Sequence, residues 1–169
     1  DELFNRAWPG PLPKEVAKAP SLVPLTPLDP LNYAAGRFMD PAAATVKQGW
    51  RWGVPEWPSI PGGKRARFTA LPMLYAETPG AELTLAFEGR AVGAYVVAGP
   101  DAGIVEASID GGPFQRAELY HAFSKDLHYP RTVMFTADAA EGAHTLTLRV
   151  SGETRTGGHA ARIIQFVAN

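Results

Sequence analysis

The run Glu82-Leu83-Thr84-Leu85-Ala86-Phe87 sets Leu83, Leu85 and Phe87 on one side of an extended chain and Glu82, Thr84 and Ala86 on the other. Successive side chains of a strand point to opposite faces, so period two marks a strand with one face in a core and one toward water. The same period returns in His144-Thr145-Leu146-Thr147-Leu148-Arg149-Val150. No stretch of ten or more residues carries the 3.6-residue period of an amphipathic helix. Helical bundles and alternating β/α folds are excluded on that ground.

The segments between these runs read as turns and further strands. Glu88-Gly89-Arg90 is a tight turn leading into residues 91–97, so residues 82–97 are expected to form a hairpin. Gly99-Pro100-Asp101-Ala102-Gly103 is a turn-rich loop, and residues 104–109 are a strand. Asp110-Gly111-Gly112-Pro113 is a strong hairpin signal, with residues 114–120 as the partner strand. Residues 131–136, 144–150 and 161–167 complete the series, with a polar loop at 154–158. About eight strands from residue 66 onward, at this spacing, predict an all-β, jelly-roll-like β-sandwich.

The first thirty residues differ. Pro9, Pro11, Pro13, Pro20, Pro24, Pro27 and Pro30 fall there. Proline fixes φ and removes a donor, so neither a long helix nor a central strand fits. Residues 1–30 are expected to be a proline-rich arm or linker with at most a helical turn at Lys14–Lys18, and residues 31–169 the β-sandwich domain. A chain of 169 residues, 46% of them hydrophobic, is long enough to build a core without disulfide or metal staples.

Composition also excludes classes of function. With no cysteine there is no thiol catalysis and no Cys-based zinc site. The net charge is -1, from 16 basic and 17 acidic residues with no block of like charge. A nucleic-acid partner and a polybasic membrane anchor are therefore not expected. The longest apolar runs, such as residues 91–98, are too short to cross a bilayer. The chain opens with Asp1-Glu2, which reads as a piece of a longer protein.

Three constellations could carry function. Trp50 and Trp52 on one strand would share a face, and with Trp57 they could offer an indole platform for sugar rings; the alternative is that they plug the sandwich. Asp101, between Gly99 and Gly103, could accept hydrogen bonds from sugar hydroxyls, or else cap its own turn. His121, Ser124, His128, Tyr129 and Arg131 make a donor-rich loop stiffened by Pro130, suited to a polar ligand or to internal bonding, with Arg131 paired to Asp101 or Asp126. His121 and His128 match no standard zinc spacing. Asp101, Glu106, Asp110 and Asp138 are weak calcium candidates, since no Asp-x-Asp-x-Asp run is present. No metal or cofactor is expected.

The segments at residues 97–103, 108–113, 119–131, 142–146 and 158–163, led in by Leu28-Asp29-Pro30-Leu31-Asn32-Tyr33 and Gly36-Arg37-Phe38, resemble the β-sandwich domain that accompanies SGNH (GDSL-type) hydrolase domains in bacterial carbohydrate esterases. His128-Tyr129-Pro130-Arg131 and the 99–103 loop are the most specific parts. The resemblance implies a secreted or periplasmic accessory module, not itself an enzyme, whose partners are a polysaccharide or oligosaccharide and an SGNH hydrolase domain in the parent chain. That family's Gly-Asp-Ser nucleophile block and Asp-x-x-His block are absent from this sequence. Trp50, Trp52, Trp57, Asp101, His121, His128, Tyr129 and Arg131 are the candidate ligand-binding residues. A structural domain that packs on the hydrolase and shapes its cleft is the alternative. A self-contained hydrolase using Ser124, His128 and Asp101 is disfavoured, because a serine four residues before a histidine on one loop rarely reaches attack geometry.

Overall fold

The computed structural model describes residue 29 and residues 32–169. The arm expected over residues 1–30, its helical turn included, lies outside the described residues but for Asp29. Residues Tyr33–Asn169 form one compact unit, to which all that follows refers.

Eleven strands are described: β1 (Arg37–Met39), β2 (Thr45–Gln48), β3 (Arg51–Gly53), β4 (Met73–Ala76), β5 (Glu82–Glu88), β6 (Val92–Ala98), β7 (Ile104–Ile109), β8 (Gln115–Glu118), β9 (Tyr129–Thr136), β10 (Ala143–Val150) and β11 (Ala161–Ala168). One helical turn, α1 (Ala66–Thr69), and three short 3₁₀ turns are the only described helices. The strands form two antiparallel sheets. One runs β3-β4-β11-β6-β9, with β1 also on β11; the other runs β2-β5-β10-β7-β8. Successive strands switch sheets repeatedly, which is the jelly-roll-like sandwich expected. Eight of the strands lie beyond residue 66, as the alternation required. The three before residue 54 are short and largely exposed, and carry little periodicity.

The main core is the space between the sheets. Register sets Leu146 beside Leu85 and Ile109, and Leu148 beside Leu83 and Ala107, on the inner face of the second sheet. Leu74, Ala94, Val96, Ile163 and Phe166 face them from the first. Ile109 is partly buried; the leucines, Val96, Ile163 and Phe166, at 3% exposure or less, each contribute about 1.5–3 kcal/mol over exposure.

One local expectation is corrected. β5 and β6 do not form a hairpin. β5 pairs with β10 and β2, β6 with β11 and β9, and residues 89–91 cross from one sheet to the other. β5 alternates in burial, whereas β6 is buried at every position except Tyr95. A strand buried on both faces must lie inside a covered sheet. The cover is the segment after β3: Trp57, Ile60 and Phe68 pack on Met73 and Val97 as a second apolar cluster on the outer face of the first sheet.

The β7–β8 hairpin forms as expected. Asp110 (φ 52°) and Gly111 (φ 73°) are the central residues, closed by Gly112 N–H donating to Ile109 O at 2.9 Å. Two positive φ angles give a type I′ turn, whose twist matches the flanking strands. Asp110 also ties this turn to β10. Its carboxylate accepts from Thr145 N at 2.8 Å and lies 2.6 Å from His144 Nδ1, while His144 Nε2 meets Ala140 O at 2.8 Å. Both partners of the imidazole are acceptors, so the doubly protonated ring suits the site. The hydrogen bond to Asp110 raises the His144 pKa, and the same bond lowers that of Asp110.

The pair therefore stabilises the fold most between the two titrations. The His144 contribution is complete below the ordinary histidine value and fades as pH rises through its raised folded value. The Asp110 contribution is complete above the ordinary aspartate value and is lost on acidification. His144→Gln is expected to lower the melting temperature more at about pH 5.5 than at about pH 9. Thermal unfolding at the two pH values checks this, and an equal loss at both would refute the assignment.

Candidate functional site

Four segments meet at one end of the sandwich: residues 61–65, 99–103, 119–131 and 151–160. Backbone hydrogen bonds join them. Gly103 N donates to Ala160 O, Ala160 N to Asp101 O, Leu119 N to Gly103 O, Gly63 N to Asp126 O, and His128 N to Gly63 O, all between 2.8 and 3.1 Å.

Beneath this end lies a buried polar network. Arg162, on β11 and 1% exposed, donates from Nη1 and Nη2 to the two carboxylate oxygens of Asp101 at 2.9 and 2.6 Å. Nη2 also lies 3.4 Å from Glu77, which pairs with Arg51 at 3.0 Å. Arg162, not Arg131, is thus the partner of Asp101, and the carboxylate is occupied by the guanidinium fork. Burial raises the Asp101 carboxyl, but the hydrogen bonds and charge of Arg162 outweigh it and hold the pKa below the ordinary value.

His128 is 1% exposed. Its Nε2 lies 2.9 Å from Pro61 O, and its ring stands edge-on to Trp57 with centroids 5.1 Å apart. A Cβ on Gly99 would overlap this imidazole, so glycine is required there. Burial pushes the His128 pKa down; the Pro61 carbonyl opposes this and the Arg162 charge adds to it. Burial thus favours the neutral ring. Ser124 is fully buried, and its hydroxyl makes no hydrogen bond among the described residues. Ser124, His128 and Asp101 are not linked by hydrogen bonds, so no relay is assembled from them.

The exposed layer is different in kind. Phe123 is 68% exposed and stacks on Tyr129, with centroids 5.3 Å apart. His121 stands edge-on to both rings and accepts from Phe123 N at 3.2 Å. Burial first and the nearby charge of Arg131 second lower the His121 pKa. The Arg65 guanidinium lies over Tyr129 at 5.1 Å, and that of Arg155 over Tyr120 at 5.5 Å. Tyr120, Lys125, Arg155, Thr156 and Pro100 line a polar cleft of about 250 Å³. Among the described residues, no carboxylate pairs with Arg65, Lys125, Arg131 or Arg155.

The sequence-predicted residues are therefore distributed over different roles. His121, Tyr129 and Arg131 are half-buried beside exposed Phe123, and the His121 Nε2 is enclosed without a hydrogen-bond partner among the described residues. Asp101 and His128 lie in the support beneath them, with Trp57 (5% exposed) packed between His128 and Arg162. Trp50 and Trp52 do not form a shared platform. Trp50 precedes β3, at the crossing from one sheet to the other, and plugs the main core at 5% exposure; Trp52 is 57% exposed. Phe123, Tyr120, Lys125, Arg65 and Arg155 were not singled out from sequence. Only Phe123 and Lys125 carry a local signal there, as members of the donor-rich loop.

The four acids considered for calcium do not converge. Asp101 binds Arg162, Glu106 binds Arg149 and Ser151, Asp110 binds His144, and Asp138 accepts from Thr136. No three His, Asp or Glu side chains cluster as metal ligands among the described residues. Nor is any described helix long and apolar enough to cross a membrane.

No family model matches the chain, and no curated protein matches it. Solved structures match it in fold. A two-domain esterase (CEX) active on acetylated mannans, co-crystallized with mannopentaose, gives a TM-score of 0.61 at 13% identity over 85% of this chain; the match spans 38% of that protein's length. A family 6 carbohydrate-binding module from Clostridium cellulolyticum in complex with xylose gives 0.52 at 13% identity, covering 79% of this chain and 97% of the module. An exo-β-1,3-galactanase from Phanerochaete chrysosporium gives 0.50 at 14% identity, covering 79% and 29%. At such identities the likeness is one of fold: the β-sandwich of carbohydrate-binding modules and two-domain esterases.

The buried pair yields a stability test. Asp101→Asn leaves the Arg162 charge enclosed with only a distant partner and is expected to cost about 3–5 kcal/mol near neutral pH, more than Arg162→Met. Because the Asp101 pKa is lowered, its contribution is present above the ordinary aspartate value and is lost as pH falls. Urea unfolding of both variants is the measurement, and a loss for Asp101→Asn no greater than for Arg162→Met would refute this account.

Proposed function

We propose that this sandwich is a non-catalytic carbohydrate-binding or substrate-positioning module of an SGNH-type carbohydrate esterase, and that its loop end is the sugar-contacting surface. The observation that carries the reading is the stack of exposed Phe123 on Tyr129, together with the cleft lined by Tyr120, Lys125 and Arg155 and with four cations that have no carboxylate partner among the described residues. Aromatic faces pack against the C–H faces of sugar rings, and guanidinium and ammonium groups donate to hydroxyls or to a carboxylate on the sugar. Rigid backbone pairing under the loops presents these groups at little ordering cost on binding. The likeness in fold to a xylose-bound module and to an esterase active on acetylated mannans supports the same reading. In a parent enzyme, such a module would raise the concentration of polysaccharide ester near the active site. Secretion follows from that role, since the substrate is extracellular.

A second reading is favoured by a different surface. Tyr33, Phe38 and Met134, 55%, 65% and 44% exposed, line an apolar groove of about 460 Å³ with Ala137 and Val167. Exposed apolar patches of this kind mark contact surfaces. Under this reading the sandwich packs on the hydrolase domain and shapes its cleft, without glycan affinity of its own.

Affinity electrophoresis against neutral and uronate-bearing polysaccharides separates the two. Retardation by at least one polysaccharide, reduced about tenfold in affinity by Phe123→Ala or Arg155→Ala, is the expected result. No retardation by any polysaccharide would sink the independent binder. Self-association removed by Phe38→Ser would then point to the packing domain.

A further inference from the structure

We propose that the cleft at Trp52 is a second carbohydrate site, separate from the loop end, which seats a neutral pyranose ring. Trp52 lies on β3, at the margin of its sheet. Its indole is 57% exposed and stacks on no other ring. Trp50 and Trp57 are both buried, so Trp52 stands apart from the tryptophans that serve packing. With Asp40, Leu71, Pro72, Ile164 and Gln165 it lines a cleft of about 480 Å³, within the ~300–1,000 Å³ range of small-molecule sites.

The polar groups of this cleft suit hydroxyls. Asp40 accepts from Ala42 N at 2.8 Å through one carboxylate oxygen, and no interaction engages the other among the described residues. The Gln165 amide likewise has no partner among the described residues, and it offers two donors and an acceptor. Its position is set by a register shift between Ile163 and Gln165 where β11 pairs with β6. Such bulges re-aim a side chain and occur beside binding sites. An indole face, a carboxylate and an amide around one apolar floor can take up a ring with C–H bonds on its faces and hydroxyls on its rim.

Charge decides the class of sugar. No lysine or arginine lines the cleft, and its one ionisable group is Asp40. A carboxylate accepts hydroxyl protons but repels uronate and sulfate. The loop end carries the opposite charge, so the two surfaces select differently. Gln165 lies three residues beyond Arg162 on β11, which is about 10 Å along the strand. One polysaccharide chain could therefore reach both.

The test follows the indole and side-chain amide resonances of ¹⁵N-labelled full chain, with Trp52 and Gln165 assigned by their loss in Trp52→Phe and Gln165→Ala. The probes are neutral manno-, xylo- and galacto-oligosaccharides, with a polyuronate as the charged control. Trp52 and Gln165 are expected to shift with at least one neutral oligosaccharide and not with the polyuronate. Trp52→Ala, whose exposed side chain supports no core, is expected to weaken that binding about tenfold, while Lys47→Ala, on exposed β2 of the other sheet, leaves it unchanged. Shifts confined to the 119–131 loop would overturn this inference and leave the loop-end reading standing. Shifts confined to Trp52 and Gln165 would do the reverse. An unmoved Trp52 with every neutral probe overturns the second site outright.

Discussion

Arg162 places a guanidinium on the outer face of a central strand where water does not reach. An unpaired charge there would cost several kcal/mol, and a pair gains back that cost only with good geometry. Asp101 supplies the geometry, with one oxygen for each terminal nitrogen. Because Asp101 sits between Gly99 and Gly103, the pair fixes the 99–103 loop against β11. Gly99 then leaves room for the His128 ring, and His128 holds residues 61–63 through Pro61 O and Gly63 O. Three of the four segments at the loop end are located by this one chain of contacts.

The consequence is a division between support and contact. Asp101, His128 and Trp57 are polar or amphipathic groups whose functional atoms are turned inward, and they make the loops stiff. Phe123, Arg65, Lys125 and Arg155 are exposed around this support, with Tyr120, Tyr129 and Arg131 half-buried among them. A binding surface built on rigid support loses less freedom on binding than one built on free loops. The lowered pKa values of Asp101 and His128 belong to this support: the Arg162 fork favours the charged carboxylate, and burial favours the neutral imidazole.

Much of the fold was legible because strand period and turn chemistry are local. The alternation at Leu83-Thr84-Leu85 and Leu146-Thr147-Leu148, and the Asp110-Gly111 turn, are readable from a few neighbouring residues. The β5–β6 crossing was not, although residues 91–97 gave a sign of it: a run with no charged residue belongs to a strand covered on both faces, not to an edge hairpin. The misplaced Trp50–Trp52 platform has a similar cause. Period two holds only within a strand, and Trp50 stands before β3, where the chain changes sheets.

By itself the sequence determined that this is an all-β sandwich with donor-rich loops, because backbone period and turn preference act over a few residues. Only the tertiary structure decided which of those loop groups face solvent and which turn inward. Arg65, Lys125, Arg131 and Arg155 are scattered along a chain of net charge -1, and no window contains them together. Folding gathers them at one end and gives Asp101 to Arg162, sixty-one residues away. Charge pairing and burial are decided by distance in space, and strand period carries no record of that distance.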